Sequence, residues 1–339
     1  MASRNLSAPS IANPPAELAT AAAPGEFRAH TLTLPAAAAG LRLDQALARA
    51  LPQYSRARLA AWIAAGAVAV DGRRLRGKDH VLGGEQVRIA ATLPGRVRIE
   101  AEKRTLSVVY RDRALIVIDK PAGLVVHPGA GNARHTLQNA LLGLDARLAL
   151  VPRAGLVHRL DKGTSGLLLV ARTPEAHTAL VAALGAHRIR REYLALCTGL
   201  MTAGGTVSAP IGRHRTERTR MAVRADGRPA VTHYRIERRF RAHTLVRVQL
   251  ETGRTHQIRV HLAHLGFPLV GDPVYGGRRR IPAGATPALA AALRGFQRQA
   301  LHAARLTLPH PTGGGELTLE SPLPPDFAQL LAALAAERR

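Results

Sequence analysis

Cysteine, aromatic residues and long hydrophobic runs are all scarce in this sequence of 339 residues. The one cysteine, Cys197, excludes an intrachain disulfide framework and a zinc site made of several cysteines, and it suits the reducing cytoplasm, where we expect the protein. Aromatic side chains make up 3%, which argues against binding single-stranded nucleic acid on an extended stacking platform. No apolar run approaches the roughly 20 residues of a membrane helix, and residues 1–27 lack a signal-peptide core, so we expect no membrane partner.

Acidic residues are also scarce. The sequence has 23 Asp and Glu against 48 Lys and Arg, which gives a formal net charge of +25. Such an excess of positive charge predicts a polyanionic partner, and nucleic acid is the usual one. The arginine-rich segments at 187–191, 213–220 and 278–280 are candidate phosphate contacts, with solvated loops as the alternative interpretation.

Composition divides the chain into stretches of different character. Residues 1–27 are rich in Ala and Pro, and we expect a disordered tail there. Residues 41–90 predict a compact α/β unit, residues 91–105 a polar linker, and residues 106–339 a larger domain. In the larger domain, the apolar runs ALIVIDK and GLLLVA predict strands buried on both faces, and Thr173-Pro174-Glu175 is a typical helix start.

The unit at residues 41–90 has clear helix and turn signals. The stretch LRLDQALARAL carries leucines at a helical period, and Ser55 can cap a second helix. The sequence AVAVDGRRL indicates a hairpin with a type I′ turn at Asp71-Gly72. This order of elements is similar to the S4 RNA-binding domain. Three basic side chains could face RNA phosphates, with an ordinary solvated surface as the alternative: Arg56, Arg58 and Arg73.

Two polar segments of the larger domain could carry chemistry. The first, GLVHRLDKGTSGLLLVA, places Asp161 in a glycine-flanked loop; from spacing alone, a turn in which Asp161 bonds local amides is the favoured interpretation. The second, ETGRTHQIRVHLAHLG, predicts a short helix capped by Thr255 with Arg259 in its first turns. A cation there opposes the helix dipole, which predicts a compensating anion such as Asp161 or a phosphate. The histidines lack the spacing of a zinc pair, so we predict no metal site.

Three segments together resemble the RluA-type pseudouridine synthases: HRLDKGTSGLLLVA, REYLAL and TGRTHQIRVHLAHLGFPLVGDPVYGG. Four more, VVHPGAGN, APIGRHRTERTRMAV, GRPAVTHYRI and RQALHAARLTLPHP, are similar to the members of that family that modify large-subunit ribosomal RNA. The resemblance runs from about residue 41 to the C-terminus. It implies an α+β fold, with a small N-terminal S4-type α/β RNA-binding domain and a larger catalytic domain built on a mixed, mainly antiparallel β-sheet.

The resemblance also implies residue roles in converting uridine to pseudouridine, an isomerisation that needs no cofactor. Asp161 would be the catalytic aspartate, as nucleophile or as base, and Arg259 would pair with it and keep it charged and oriented. Tyr193 would lie against the flipped base and is the candidate for removing the C5 proton, whereas Arg159 would fill the gap left by the flipped nucleotide. Gly163 departs from the family, which usually has an acid there, and we expect altered loop stiffness rather than lost activity.

The implied partner is 23S rRNA, in the large ribosomal subunit or its precursor, with uridines of the helix 69 stem-loop as targets. The motif segments contain one obvious acid, which favours an isomerase over a glycosidase with two carboxylates. Two alternatives stay open: a synthase of the same family with other 23S rRNA or tRNA targets, and a non-catalytic S4-type RNA-binding factor of ribosome assembly. We expect a monomer. In the larger domain, seven residues are predicted to contact RNA: His158, Arg159, Arg213, Arg215, Arg218, Arg254 and His256.

Overall fold

The computed structural model describes residues 26–337, except for 53, 55, 94–98, 130–131, 218 and 279. Contacts divide the chain into an N-terminal unit, Met1–Arg98, and a C-terminal unit, Ile99–Arg339. No helix in the described residues is long and apolar enough to cross a membrane. Most of the predicted tail, and the cap predicted at Ser55, lie outside the described residues.

The N-terminal unit is an antiparallel sheet packed against two helices. Its elements are β1 (Glu26–Thr33), a 3-10 turn (Ala36–Ala38), α1 (Leu43–Ala50), α2 (Arg56–Ala64), β2 (Val68–Val70) and β3 (Gln86–Leu93), with sheet order β1-β3-β2. The leucines of α1 and Trp62 of α2 pack against Ile89 of β3, as the helical period predicts. This architecture confirms the two predicted helices and the closing strand.

The boundaries of this unit differ from the prediction in three places. Strand β1 begins inside the predicted tail, because it pairs with β3 along its whole length and is ordered by that pairing. Asp71 and Gly72 have φ of 47° and 76°, which confirms the type I′ turn. The return arm of the predicted hairpin is only an isolated bridge, and β2 pairs with β3 instead. Strand β3 also extends to Leu93, into the predicted linker.

The C-terminal unit is built on one large sheet with helices on both faces. Its strands are β4 (Ser107–Arg111), β5 (Leu115–Lys120), β6 (Ser165–Ala171), β7 (Arg190–Thr198), β8 (Gly205–Ser208), β9 (Ile211–Arg213), β10 (Met221–Val223), β11 (Val231–Arg239), β12 (His243–Leu250), β13 (Leu301–Pro309) and β14 (Glu316–Glu320). Its helices are α3 (Leu137–Leu144), α4 (Pro174–Gly185), α5 (Gln257–His264), α6 (Pro287–Gly295) and α7 (Pro325–Ala336), with 3-10 turns at Ala146–Leu150 and Pro152–Gly155.

Strand order in this sheet is β4-β5-β6-β13-β7-β12-β11-β8, and β14 adds to β13. The pair β6–β13 is parallel, and the other strand pairs of the described sheet are antiparallel. Strands β9 and β10 form a separate hairpin. This arrangement confirms the predicted α+β fold with a mixed, mainly antiparallel sheet.

Strands β5 and β6 are buried on both faces, as their apolar runs predict. Ile116 and Ile118 point into a core shared with α3 and α5, whereas Leu115 and Val117 point into a second core shared with α4. Helix α4 begins after Thr173, whose side chain caps it as predicted. The first core contains Leu160 and Ile258, so it lies beneath both polar segments of the sequence.

Gly166 makes the parallel contact between β6 and β13 possible. Its φ is +107°, and a Cβ added there would lie 2.2 Å from the carbonyl oxygen of Ala303. Because that neighbour is backbone, it cannot move aside without breaking the sheet. The glycine therefore lets β13 approach the strand that follows the Asp161 loop.

The second half of the predicted linker is not a free connection. The amide of Glu102 donates to the carbonyl of Asn139 at 2.9 Å, and the Asn139 side chain donates to the carbonyl of Glu100 at 2.9 Å. These bonds fasten residues 99–102 to helix α3, so the C-terminal unit begins at Ile99 rather than at residue 106.

Candidate active site

One cavity of about 1070 Å³ opens on the C-terminal unit between the two predicted polar segments. It has the size and mixed lining typical of a ligand site. Seven of the residues predicted from the sequence line it: His158, Arg159, Asp161, Tyr193, Arg254, His256 and Arg259. The segments that carry them are distant in sequence, and the sheet brings them together.

The buried Lys120 ammonium joins the Asp161 loop to the turn that follows β5. Lys120, which is fully buried, donates to the carbonyls of Pro121, Leu124 and Lys162 at 2.8, 3.0 and 3.4 Å. Burial lowers the pKa of Lys120 to about 7, although the Asp161 charge opposes that shift. The loop is therefore fixed from below before any ligand binds, and its carboxylate is pre-positioned.

Asp161 and Arg259 form an ion pair in the cavity wall. Nη1 of Arg259 donates to Oδ2 of Asp161 at 2.9 Å, and their side chains are 5% and 16% exposed. This pair supplies the anion that the helix-dipole argument predicted for Arg259. The Asp161 carboxylate keeps a partly open side toward the cavity, where a substrate atom can reach it.

Asp272 holds the other edge of the same guanidinium and was not predicted. Nε and Nη2 of Arg259 donate to its two carboxylate oxygens at 2.7 and 2.8 Å, and Asp272 is fully buried. Hydrogen bonds and charge from Arg259 keep the pKa of Asp272 below its usual value, although burial alone would raise it. A bidentate pair of this kind fixes the plane of the guanidinium and so the direction of Nη1.

Tyr275 closes this cluster from the side. The Arg259 guanidinium lies 5.0 Å from the centre of its ring, and its hydroxyl accepts from the amide of Met221 at 2.9 Å. The segment GDPVYGG is part of the sequence that resembles the RluA-type synthases, but its Gly and Pro residues indicate an ordinary turn. Nothing in that pattern signals that Asp272 and Tyr275 contact Arg259.

Helix α5 starts differently from the prediction. Its N-cap is His256 in the left-handed conformation (φ 58°), not Thr255. The reason is Gln257, whose Oε1 accepts from the Thr252 hydroxyl and the Arg254 amide at 2.8 and 2.9 Å and so folds the preceding loop back. The resulting turn brings Nε2 of His256 to 3.8 Å from Oδ1 of Asp161, beyond hydrogen-bond distance.

Tyr193 lies in the same cavity and is 5% exposed. Burial raises the pKa of its phenol, the nearby Arg191 charge lowers it, and the Asp161 charge raises it further. The phenol is therefore neutral at pH 7. A neutral ring on the cavity floor is suited to packing against a planar base.

His158, which is predicted to contact RNA, carries no positive charge at neutral pH. Its Nε2 accepts a hydrogen bond from the amide of Leu169 at 2.9 Å, which requires an unprotonated nitrogen. Burial lowers its pKa to about 3, and the Arg191 charge adds to that shift. His158 is a neutral side chain that fastens the loop to strand β6.

A second acid, Glu251, also lines the cavity, which the sequence did not suggest. Its Oε1 lies 2.6 Å from Nε2 of His233, and its side chain is 46% exposed. Asp161 is the more buried carboxylate and the one paired with a guanidinium. The cavity therefore presents two acids in different environments, and Asp161 is the better placed of them for chemistry.

The remaining predicted RNA contacts lie outside the cavity. Arg213 and Arg215 are exposed at the β9–β10 hairpin, whose base packs on α5 through Ile211 and Val260, and Arg218 lies outside the described residues. In the N-terminal unit, Arg73 is exposed and Arg58 is partly buried.

Arg56, a predicted phosphate contact, also has a partner within the protein. Its Nη2 lies 2.7 Å from Oδ2 of Asp44, and Arg42 pairs with the same carboxylate. Arg56 therefore has an internal partner for its charge, although its side chain remains 52% exposed.

No group of three or more His, Cys, Asp or Glu side chains in the described residues is arranged to hold a metal ion. His261, one of the three histidines near α5, is fully buried and lies 2.8 Å from the Thr232 hydroxyl and 2.9 Å from the carbonyl of Ala209. It is a polar core residue.

Gly163 faces Gln299, and this contact leads to a prediction. A Cβ at Gly163 would lie 2.5 Å from Oε1 of Gln299, whose Nε2 donates to the Thr164 hydroxyl at 3.0 Å. Gly163→Asp should therefore displace Gln299 and destabilise the protein by roughly 1–3 kcal/mol in thermal unfolding. Activity should stay within about tenfold, because Asp161 itself is not displaced. In the double variant with Gln299→Ala the penalty should be less than additive, and strict additivity would contradict the contact.

Both units of the chain match known protein families. Residues 114–264 match the RNA pseudouridylate synthase family, and residues 41–87 match the S4 domain. The chain is 54% identical over 301 residues to the ribosomal large subunit pseudouridine synthase D of Xanthomonas campestris pv. campestris, which covers 89% of this chain and 91% of that protein. It is 55% identical over 299 residues to the protein of the same name from Pseudomonas aeruginosa, covering 88% and 93%.

Solved structures agree with these sequence matches. Human RNA pseudouridylate synthase domain containing 4 superposes with a TM-score of 0.55 at 27% identity, covering 68% of this chain and 94% of that one. Human RNA pseudouridylate synthase domain containing 1 gives 0.51 at 28% identity, covering 72% and 98%. The resemblance drawn from the sequence is confirmed: the chain belongs to the RNA pseudouridylate synthase family and carries an S4 domain on its N-terminal side.

Proposed function

We propose that this protein converts uridines of 23S rRNA to pseudouridine and that Asp161 is its catalytic carboxylate. The observation that carries the proposal is the Asp161–Arg259–Asp272 arrangement, in which a buried guanidinium aims Asp161 into the cavity. The relatives' names support ribosomal RNA of the large subunit, or its precursor, as the substrate.

The reaction makes three demands on the site. The target nucleotide must leave its stack, since C1′ is otherwise unreachable. The C1′–N1 bond must then break with its electron pair on N1, while the Asp161 carboxylate either bonds to C1′ or removes a sugar proton. After the base turns, C5 bonds to C1′, and at this point the Asp161–C1′ bond breaks or, in the other route, Asp161 returns the sugar proton. The C5 proton then leaves to a base and N1 gains a proton, so the product is an isomer of uridine.

The cavity supports a division of these tasks. Arg159 is exposed at the cavity rim, where it can occupy the space vacated by the flipped nucleotide. Tyr193 can pack against the detached base. Its neutral phenol supports this packing role better than removal of the C5 proton, because that step needs an acceptor.

RNA binding should depend steeply on salt. Release of counterions from phosphates predicts an affinity that falls at least about tenfold between 50 and 200 mM salt. Arg215→Gln, at the exposed hairpin, should reduce the slope of log Kd against log salt by about 1. Arg305→Gln is the matched control, because Arg305 pairs with Glu320 across β13 and β14. Filter binding measures both variants, and a flat salt response would contradict a phosphate-dominated interface.

The target within 23S rRNA is the finer part of the proposal. The relatives' names go no further than the large ribosomal subunit, and the helix 69 stem-loop is what the sequence resemblance implies. Mapping pseudouridines in rRNA from cells with and without the gene tests this. Loss of the modification at other 23S sites or in tRNA would favour the alternative targets. We also propose that the protein is a monomer in the cytoplasm and that it uses neither a metal nor a cofactor.

A further inference from the structure

Arg191 is a buried cation without an anion. It is 9% exposed, its Nε has no hydrogen-bond partner, and Nη2 reaches only the carbonyl of Glu251 at 3.4 Å. Two neighbouring acids have other partners. Glu192, the next residue in the chain, pairs with Arg247, and the carboxylate of Glu251 lies against His233. No ion pair joins Arg191 to a carboxylate in the part of the chain that the structure describes.

His158 adds a second unsatisfied donor in the same cavity. Because its Nε2 accepts from the Leu169 amide, the neutral ring carries its proton on Nδ1. That Nδ1 is buried and has no partner. Both residues line the cavity, and the Arg191 charge helps to lower the pKa of His158, so the two side chains interact electrostatically.

A buried charge and a buried N–H that lack partners destabilise a folded protein, so native structures retain few of them. At a binding site, the ligand supplies the missing counter-charge or hydrogen-bond acceptor. The cavity rim adds Arg153, Arg159 and Arg254, which favours a negatively charged ligand over a neutral one.

Strand geometry places Arg191 next to Tyr193 on one face of β7. Arg191 and Tyr193 alternate with Glu192 on β7, so their side chains leave the same face of the sheet. The Arg191 charge also acts on the pKa of Tyr193. Since Tyr193 is the residue proposed to lie against the base, the unsatisfied donors lie close to the base or to a phosphate flanking it.

We propose that Arg191 and the Nδ1–H of His158 form an oxyanion-binding site for the RNA nucleotide in the cavity. This inference rests on the proposed function. One source of the oxyanion is a backbone phosphate next to the target. The other is the detached uracil, which keeps the electron pair of the C1′–N1 bond and spreads that charge onto O2 and O4 until C5 bonds to C1′.

The test compares Arg191→Gln with Arg190→Gln. Arg190 is the adjacent residue of β7, is exposed on the opposite face, and pairs with Glu316 at 3.0 Å. Both variants are assayed for single-turnover tritium release from 23S rRNA labelled at uridine C5, and for RNA affinity at several salt concentrations. Thermal unfolding verifies that each variant is folded.

The two sources give different results for Arg191→Gln. A uracil oxyanion predicts a rate at saturating enzyme that is lower by about 100-fold with an unchanged Kd. A phosphate predicts binding that is weaker by about tenfold, a salt slope reduced by about 1, and an unchanged rate at saturation. Arg190→Gln should match the wild type in both measurements.

The inference is overturned if the wild type releases tritium and Arg191→Gln equals Arg190→Gln in both rate and affinity. Inactivity of the wild type itself would instead reject the proposed function. Should Arg191→Gln fail to fold, Arg191→Lys gives the same decision. It keeps the charge but loses the planar fork, so a uracil contact predicts a lower rate and a phosphate contact a weaker affinity.

Discussion

Asp161→Asn should abolish tritium release from C5-labelled 23S rRNA, with a rate reduced by at least about 10⁴-fold. The amide keeps the size of the carboxylate and can still accept from Arg259 at the same position, so the fold should be retained. An amide can neither bond to C1′ nor take up a sugar proton at neutral pH, which removes the first chemical step. Single-turnover kinetics at saturating enzyme measure the loss directly.

RNA binding separates this prediction from a defect in folding or recognition. Removing a negative charge from a basic cavity should leave the affinity for RNA unchanged or slightly higher. Glu251→Gln is the matched control, since Glu251 is the other acid that lines the cavity and glutamine can still bond to His233. We expect less than about a tenfold effect there. Undiminished release by Asp161→Asn would reject Asp161 as the catalytic carboxylate, whereas a wild type that binds 23S rRNA but releases no tritium would favour the non-catalytic RNA-binding alternative.

Arg259→Met should be the most destabilising single change at the site, costing about 3–5 kcal/mol. The substitution leaves the fully buried Asp272 with its two amide donors, from Val274 and Tyr275, but without a counter-charge. Thermal unfolding should shift down by roughly 10 °C at pH 7. Arg305→Met, which removes one partner of an exposed ion pair, should cost less than about 1 kcal/mol.

The loss in Arg259→Met should depend on pH in a defined direction. In the wild type the pKa of Asp272 is lowered, so its contribution is present above the unfolded pKa of 3.8 and is lost as the pH falls below that value. In Arg259→Met the guanidinium no longer opposes the effect of burial, so the pKa of Asp272 rises. The loss of stability is therefore present at neutral pH, where the buried carboxylate is charged, and it decreases as the carboxyl protonates. The two unfolding temperatures should converge from pH 7 toward pH 4. A constant difference would mean that Asp272 is not the source of the instability.

Local sequence signals predicted much of the fold. The apolar runs of β5 and β6, the cap at Thr173 and the positive φ at Asp71 and Gly72 follow from burial and backbone chemistry within a few residues. The unfavourable position of Arg259 at the start of a helix predicted an anion, and Asp161 is that anion. These features depend on short-range physics that a single sequence retains.

Non-local contacts were the part that sequence could not supply. Asp272 and Arg191 are ordinary charged residues in their own segments. Only the fold shows that both carboxylate oxygens of Asp272 accept from Arg259, whereas the Nε of Arg191 has no hydrogen-bond partner. The same holds for β1, whose order comes from pairing with a strand about sixty residues away. The spacing that favoured a local turn for Asp161 failed for the same reason, because its partner lies 98 residues further along the chain.

The placement of β13 has a consequence for the newly made polypeptide. This strand, Leu301–Pro309, is inserted between β6 and β7, which are more than 100 residues earlier in the chain. Until it emerges from the ribosome, both earlier strands expose apolar edges that are open to mispairing. The Asp161 loop leads directly into β6, so a nascent chain truncated before residue 301 lacks the strand that pairs with β6 beside this loop. The cavity, which Leu301 itself lines, can therefore form only after β13 has been synthesised.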